Sequence, residues 1–528
     1  MAAKSLYEWF AEAAVKYPDA VAIEVPERVL TYSELHHLVD RVATLITRTM
    51  DYTPTTIGLL TARSLPAFTG YLAALRLRAV VVPLNPAFPA SRNRGMGQAA
   101  GVDFVVVGEE SGAPEDVVKS LPSSKTPFLR LTTKELDVQL AAPVAEGAAG
   151  LAPYVADPDE VAYVVFTSGS TGSPKGVPIV HRGLDAYIRS QIDLYEAGPG
   201  SRFSQTFELT FDPSVFDMFV PWGSGGTVVV PSPHEFHSPV DYVNGRGLTH
   251  WFSAPSMVSI ARRMKALRPG CMPDLKWSRF SGEQLTLQQA AYWREAAPST
   301  VIENVYGPTE LTMTCSGYRL PARTEDWPMT VNDTVPIGEV YPYLESVIVD
   351  SAGEITLDGE LCVRGCQRFP GYLDPQNNIG RFIAYHGNGA ASIYDGSKPL
   401  DERHWYRTGD RIVVTENGLL HLGRLDDQVK LRGYRVELGE IETVLNRHPS
   451  VDQSAAVTVL SEGSITELVA VYVGAPLHPR ELVAHIRESL PAYMVPSRFF
   501  QFDELPININ GKIDRNQIRV DIQERWTC

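Results

Sequence analysis

An α/β architecture spread over more than one domain is what this chain predicts, and three observations carry that expectation. The stretches 55–62 and 79–84 are short apolar runs of strand length separated by helical segments, and such alternation builds sheets covered by helices. A third apolar run, Val161 to Phe166, leads straight into a polar, glycine-rich loop. With 528 residues the chain exceeds what one hydrophobic core holds, so at least two domains are expected.

In chain order, residues 1–23 read as an amphipathic helix followed by a strand, without the basic and continuously apolar segments of a signal peptide. Leu30 to Leu35 (LTYSEL) opens a second helix with Ser33 as the expected cap. The segments 107–115 and 143–153, rich in Gly, Ala, Pro and acids, are expected as surface connections. No apolar run reaches the roughly 20 residues of a spanning helix, so no membrane partner is expected. A net charge of −15 opposes general nucleic-acid binding, because a phosphate backbone favours basic surfaces. The five cysteines are scattered without paired metal-ligand spacing, which fits a reducing cytoplasm.

The loop after Phe166 (FTSGSTGSPKG, to Gly176) holds three Gly, five hydroxyls and one Lys. Glycines let backbone approach a polyanion, hydroxyls and amides donate to phosphoryl oxygens, and the lysine offsets their charge. It is not a Walker A loop, which needs Gly directly before Lys, whereas Pro174 precedes Lys175. Alone, such a loop is more often a solvated linker; further motifs in register weigh the other way. In Asn304 to Glu310 (NVYGPTE), after a strand-like run at Thr300 to Ile302, an aromatic ring beside Gly and Pro offers a flat face for a purine, and Glu310 a hard oxygen ligand for Mg²⁺. Alone it reads better as a β-turn capped by Thr and Glu; together with the first motif the order reverses. In Tyr406 to Asp410 (YRTGD), an Asp just past a tight Gly turn can accept from both hydroxyls of a ribose. The charged run Gly423 to Glu442 reads as a hairpin leading into a helix at 437–447, and LPININGKIDR places Lys512 in an Asn/Gly-rich turn.

Together these motifs resemble, in order and over nearly the whole chain from about residue 30 to 515, the AMP-forming adenylating superfamily, which contains acyl-CoA synthetases, luciferases and the adenylation domains of nonribosomal peptide synthetases. The resemblance implies a large N-terminal domain of two α/β layers plus a distorted β-barrel (1–425) and a small C-terminal α+β lid (426–528) that turns about Asp426. It implies ATP and Mg²⁺. Thr167, Ser168, Gly169, Ser170, Thr171, Gly172 and Lys175 would surround the phosphates, Tyr306 would stack on adenine and Asn304 would meet its amino edge. Thr309 would contact the α-phosphate, Glu310 the metal, Asp410 the ribose, and Arg424 would complete the nucleotide site. Lys512 would bridge substrate carboxylate and ribose oxygen during adenylation. The lid would then carry Lys512 out and bring the Gly433 loop and Lys430 in for attack by a thiol.

The segment Phe211 to Phe219 (FDPSVFDMF) is similar to the peptide-synthetase form FDxSxxxxF, in which the Asp pairs with an amino acid's α-ammonium. A buried ammonium needs a counter-charge, so Asp212 points to an amino acid rather than an unaminated acid; the competing reading is a helix-capping Asp. The remaining pocket positions carried over are Pro213, Phe216, Phe252, Arg279, Ser281, Val305, Met313 and Thr314. If Phe216, Phe252 and Met313 all point inward, little room is left, and a small side chain is expected. Arg279 keeps an acidic one open, or faces solvent at the rim. FSGE is also similar to FCGE of D-alanine carrier-protein ligases, which leaves the configuration at the α-carbon open. Two features depart from the family pattern: Arg78 replaces the usual Gly, and the loop at 385–403 is longer. A carrier motif of the GGxS type is absent, so a free-standing enzyme serving a separate phosphopantetheinylated carrier protein is expected, with an acyl- or aryl-CoA ligase as the alternative.

Overall fold

The computed structural model describes residues 3–50, 52–141, 151, 154–155, 157–169, 173–387, 389–426, 428–431, 433–461, 465–507 and 513–526. It begins with helix Leu6–Lys16 and strand Val21–Val25, as the sequence predicts. The second helix, Tyr32–Thr49, is capped by Thr31 and not by Ser33. Thr31 Oγ1 accepts from Glu34 N while the Glu34 carboxylate accepts from Thr31 N, a reciprocal box that the Thr-x-x-Glu spacing permits and a cap at Ser33 would forfeit.

A six-stranded sheet runs in the order Phe128–Arg130, Phe104–Val107, Thr56–Leu60, Val80–Leu84, Val161–Thr167, Lys175–Val180. All neighbours pair in parallel except the last two, which form an antiparallel edge with Phe166 opposite Gly176. The Val- and Leu-rich runs are buried because helices cover both faces of a parallel sheet. The Ser/Gly-rich segment therefore lies between the penultimate strand and the edge strand of this sheet. Arg78, just before Val80–Leu84, has φ +60, which accounts for a Gly at that place in relatives, and its guanidinium is paired with Glu160 at the surface.

A nine-stranded sheet carries most of the remaining motif residues. Strands His250–Ser253, Trp277–Phe280 and Val301–Tyr306 lie side by side in parallel, with Phe252 opposite Arg279 and Arg279 opposite Glu303. Arg319 continues that row on the next, antiparallel strand. Helix Pro213–Ser224 starts with Pro at its first turn and stops at Gly225, whose φ of +87 suits only glycine without strain. Its Phe219 and Trp222 pack edge to face, and Phe68 and Tyr71 of helix Leu65–Arg76 close on them.

A six-stranded antiparallel sheet follows, in which Trp405–Thr415 pairs with Asp358–Gly365, Phe382–Ala384 and Gly418–Arg424. Within the 385–403 loop, Ser392–Ile393 pairs with Phe382–Ala384, so part of the longer loop extends this sheet. The C-terminal part contains the hairpin Gln428–Leu431/Tyr434–Glu437 and helix Leu438–Leu445. A three-stranded sheet of Val451–Ser461, Ile465–Gly474 and Arg498–Gln501 completes it together with helices Pro479–Arg487 and Arg515–Trp526. Val436, Ile441, Leu445, Ala470 and Ile486 form a core of their own there. The result is the expected α/β protein with a large N-terminal and a smaller C-terminal domain.

Candidate active site

One cleft, open to solvent, gathers residues that are far apart in sequence. Thr167 and Ser168 come from the end of Val161–Thr167, Asp212 and Pro213 from a helix start, and Ser281 from the end of Trp277–Phe280. Thr309 and Met313 follow Val301–Tyr306, and Asp410, Arg424 and Lys430 complete the lining. A smaller cavity beside it is lined by Asn304, Val305 and Tyr306 and shares Lys430. Asn304 spends its amide nitrogen on the carbonyls of Val335 and Pro336, leaving its own side-chain oxygen for a ligand.

Asp410 is buried and its carboxylate is crowded. Oδ2 accepts from Tyr306 OH at 2.6 Å, while His421 Nε2 and Arg424 Nη1 approach Oδ1 at 3.0 and 3.2 Å. Burial opposes its charge, but Arg424 and His421 win and hold the carboxyl well below the usual carboxylate range. Arg424 also donates to both oxygens of Asp426. Gly169 has a structural reason to be glycine: an added Cβ would lie 2.1 Å from the Ser173 carbonyl oxygen. Ser170, Thr171, Gly172 and Lys512 lie outside the described residues. Lys175 is buried near Tyr372, its charge disfavoured by burial and by Arg381.

Asp212 stands at the N-cap position of helix Pro213–Ser224, yet makes no capping hydrogen bond. Its backbone is already helical (φ −58, ψ −29), unlike the extended conformation a capping Asp adopts. Oδ2 is buried and has no hydrogen-bond partner among the described residues. Burial, reinforced by the charge of Glu310, raises this carboxyl to about 7, with the Thr309 hydroxyl pulling the other way. A carboxylate held in this way is a site for a cation.

Arg279 neither faces solvent nor lines the cleft. It is 1% exposed, and Nη2 donates to Tyr187 OH and Thr314 Oγ1 at 2.7 Å each. Its guanidinium carbon lies 4.1 Å from the Phe216 ring centroid and 4.7 Å from that of Phe252. Nε and Nη1 have no hydrogen-bond partner among the described residues, so aromatic faces are what surround them. Charges that face it are Glu303 and buried Asp217; Glu303, its register neighbour, accepts from Tyr195 OH, whose ring is 5.3 Å from the Arg279 guanidinium carbon. Phe216 and Phe252 pack edge to face at 5.1 Å and line a small separate void with Arg279. Met313 is the one of the three bulky residues that lines the cleft. It and Thr312 both have positive φ, +72 and +57. Gln367, which sequence reasoning missed, anchors this strained turn by donating to the carbonyls of Leu311, Thr312 and Thr314 and by accepting at its own carbonyl from Thr312 Oγ1.

The hairpin 428–437 reaches into the same cleft. Lys430 Nζ lies 5.5 Å from the Tyr306 ring centroid, and its charge is disfavoured by burial. Gly433 donates its N–H to Glu283 Oε1, and an added Cβ on Gly282 would lie 3.2 Å from the Gly433 Cα. Arg435, also missed from sequence, places Nη1 3.1 and 3.0 Å from the two oxygens of Glu310. Glu310 is fully buried, and Tyr372 OH donates to Oε1 at 2.6 Å. Ser168 Oγ donates to the Arg435 carbonyl at 2.9 Å. The two Glu310 oxygens expected for a divalent cation are thus held by Arg435, and such an ion does not fit on Glu310 in this arrangement.

Comparison with known proteins agrees with this geometry. The family model described as AMP-binding enzyme matches residues 10–373, and that of the AMP-binding enzyme C-terminal domain matches 440–512. The chain belongs to the AMP-binding enzyme family. This AMP-binding enzyme is an AMP-forming ligase of the adenylation-domain type found in nonribosomal peptide synthetases. It is 32% identical to phosphinothricin tripeptide synthetase PhsC of Streptomyces viridochromogenes, over 98% of this chain and 45% of that protein. With gramicidin S synthase 2 of Brevibacillus brevis it shares 28% identity over 98% of this chain and 11% of that protein. The AMP-binding enzyme therefore spans about a tenth to under half the length of these relatives. Among solved structures, IdnL7 is 34% identical and covers 99% of both chains with a TM-score of 0.71. The Vibrio cholerae adenylation domain AlmE, solved with glycyl-adenosine-5′-phosphate, is 25% identical and covers 98% of both chains with a TM-score of 0.81. No helix among the described residues of this AMP-binding enzyme is long and apolar enough to cross a membrane.

Proposed function

We propose that this ligase activates an amino acid with ATP, giving aminoacyl-AMP and pyrophosphate, and then passes the aminoacyl group to the phosphopantetheine thiol of a separate carrier protein in the cytoplasm. The observation that carries the reading is the buried Asp212 carboxyl in the nucleotide cleft, which has the Thr309 hydroxyl beside it and an Oδ2 without a hydrogen-bond partner among the described residues. An α-ammonium would satisfy it, while a fatty or aryl acid would leave a buried carboxylate without a partner at a cost of about 2–5 kcal/mol. A small side chain is favoured: Met313 narrows the cleft, and Phe216, Phe252 and Arg279 close the space behind it. The glycyl-adenylate bound by AlmE supports the same size class.

In the first step a substrate carboxylate oxygen attacks the α-phosphorus and the bond to pyrophosphate breaks. Thr309 and Asp410 orient the α-phosphate and the ribose, and Asp212 holds the amine so that the carboxylate meets the phosphorus. Lys512, carried by the lid, supplies positive charge to the phosphoryl oxygens as they gain it. A Mg²⁺ ion held by Glu310 after Arg435 withdraws would neutralise the phosphates. In the second step the carrier thiol, losing its proton, attacks the acyl carbon and the bond to AMP breaks. The close approach of Gly282 and Gly433 leaves a side-chain-free wall along which a pantetheine arm can reach that carbon. The lid turns about Asp426 between the steps.

Pyrophosphate exchange over L-, D- and β-amino acids and unaminated acids tests this. Exchange driven by small amino acids and lost in Asp212→Ala supports the reading. Exchange with unaminated acids alone would show an acyl- or aryl-CoA ligase instead.

A further inference from the structure

Glu310 has one buried carboxylate and two claimants. In the arrangement seen here Arg435 Nη1 bridges both of its oxygens, and Tyr372 OH takes a further lone pair of Oε1. Arg435 is itself fixed: Nε donates to Gln428 Oε1 at 2.7 Å, and its carbonyl accepts from Ser168 of the phosphate loop. Magnesium needs carboxylate oxygens at about 2.0–2.1 Å in near-octahedral geometry. A guanidinium bridging those oxygens leaves no such approach, and two cations on one carboxylate repel each other. Without either cation, a fully buried carboxylate would stand uncompensated, which is costly.

We propose that Arg435 is a positioning residue that replaces the divalent cation on Glu310 whenever the 428–437 hairpin docks, so that hairpin docking and metal occupancy exclude each other. A cation on Glu310 would have to be absent for Arg435 to dock, and the docked hairpin places Lys430 and Gly433 at the cleft. Because both equilibria use the same carboxylate, metal weakens hairpin docking by the same factor by which docking weakens metal binding. The inference rests on Glu310 being the metal ligand in the function proposed above.

The test uses the full chain with Mn²⁺ as probe and α,β-methylene-ATP present in every arm. Bound Mn²⁺ is read by electron paramagnetic resonance, and hairpin docking by hydrogen exchange of peptides spanning 428–437. In the wild type, adding Mn²⁺ should speed exchange in the hairpin. Arg435→Ala should bind Mn²⁺ about tenfold more tightly, within the usual span of a coupling between two equilibria, and Glu310→Gln should bind it far more weakly. Arg435→Lys, which keeps the charge but loses the fork, should lie between Arg435→Ala and the wild type. Unchanged affinity in Arg435→Ala, with affinity weakened in Glu310→Gln, would overturn the exclusion and leave Glu310 as ligand. Unchanged affinity in Glu310→Gln would overturn the metal assignment and the inference with it. The wild-type exchange experiment stands even if a variant misfolds: a hairpin indifferent to Mn²⁺ contradicts the proposal.

Discussion

Phe252 and Arg279 are register partners on adjacent parallel strands, and their side chains share one face, with the guanidinium carbon 4.7 Å from the ring centroid. The row continues through Glu303 to Arg319, and Glu303 and buried Asp217 are the carboxyl groups whose charge faces Arg279. Under the proposed function, Arg279 would brace the aromatic pair Phe216 and Phe252 behind the acyl pocket. Arg279→Met should keep pyrophosphate exchange with glycine or alanine and gain exchange with larger side chains, as Phe216 and Phe252 lose their brace. It should also lower stability by about 1–3 kcal/mol, since Tyr187 and Thr314 lose a buried donor. A substrate panel and thermal denaturation read both effects. Preference for acidic amino acids in the wild type, abolished by the substitution, would contradict the wall assignment.

The Asp212 carboxyl, raised to about 7 mainly by burial, gives amino acid affinity a pH dependence. Pairing with an ammonium needs the carboxylate, and below pH 7 a proton competes for it. The KM for the amino acid should therefore rise as pH falls below about 7, approaching tenfold per pH unit, and level off above it. The same profile for Asp212→Asn should be flat in this range, with a high KM throughout. ATP KM, measured in parallel, controls for effects elsewhere.

Asp410 accepts hydrogen bonds from Tyr306 and is approached by Arg424 and His421. Asp410→Asn keeps the shape but removes the charge that Arg424 faces. ATP KM should rise by about 10–100-fold, corresponding to the loss of a charge-assisted hydrogen bond, while the ratio of KM values between amino acids stays constant. A changed amino acid preference would place Asp410 in the acyl pocket.

Residues of adjoining segments were legible in the sequence because each motif is a single strand end plus its loop. The alternation at 55–62 and 79–84 corresponds to Thr56–Leu60 and Val80–Leu84, whereas YRTGD, expected as a tight Gly turn, lies inside strand Trp405–Thr415, with Gly409 at φ +72 where the pairing is irregular. What sequence did not disclose depends on register and on docking. Arg279 was as compatible with a solvent rim as with an aromatic cage until pairing placed Phe252 beside it. Arg435 read as one charge in an alternating run, and only the docked hairpin brings it to Glu310. The one signal available for it was its place two residues beyond Gly433, on the strand that the glycine turn presents to the cleft.

A second contact ties the lid to the core. Arg92 Nη1 lies 2.7 Å from Glu440 Oε1, and both side chains are buried. Removing one partner of such a pair costs about 3–5 kcal/mol because the other charge stays buried and unmatched. Arg92→Ala should therefore disfavour the docked hairpin and slow aminoacyl transfer from supplied aminoacyl-AMP to a carrier thiol, with pyrophosphate exchange retained. Equal loss of both activities would show that the contact serves folding alone.

Lys512→Ala should show the opposite pattern, with adenylation lost and transfer from supplied aminoacyl-AMP largely kept. Equal loss of the two steps would contradict an alternating lid.

The account's central claim is that Asp212 receives the ammonium of the acid being activated. Pyrophosphate exchange with glycine and alanine, set against acetate and propionate as their unaminated counterparts, tests it most directly in the wild type and in Asp212→Asn. Exchange is expected with the amino acids alone, reduced by about two to three orders of magnitude in the variant. Equal exchange with acetate or propionate, or an unaffected Asp212→Asn, would contradict it.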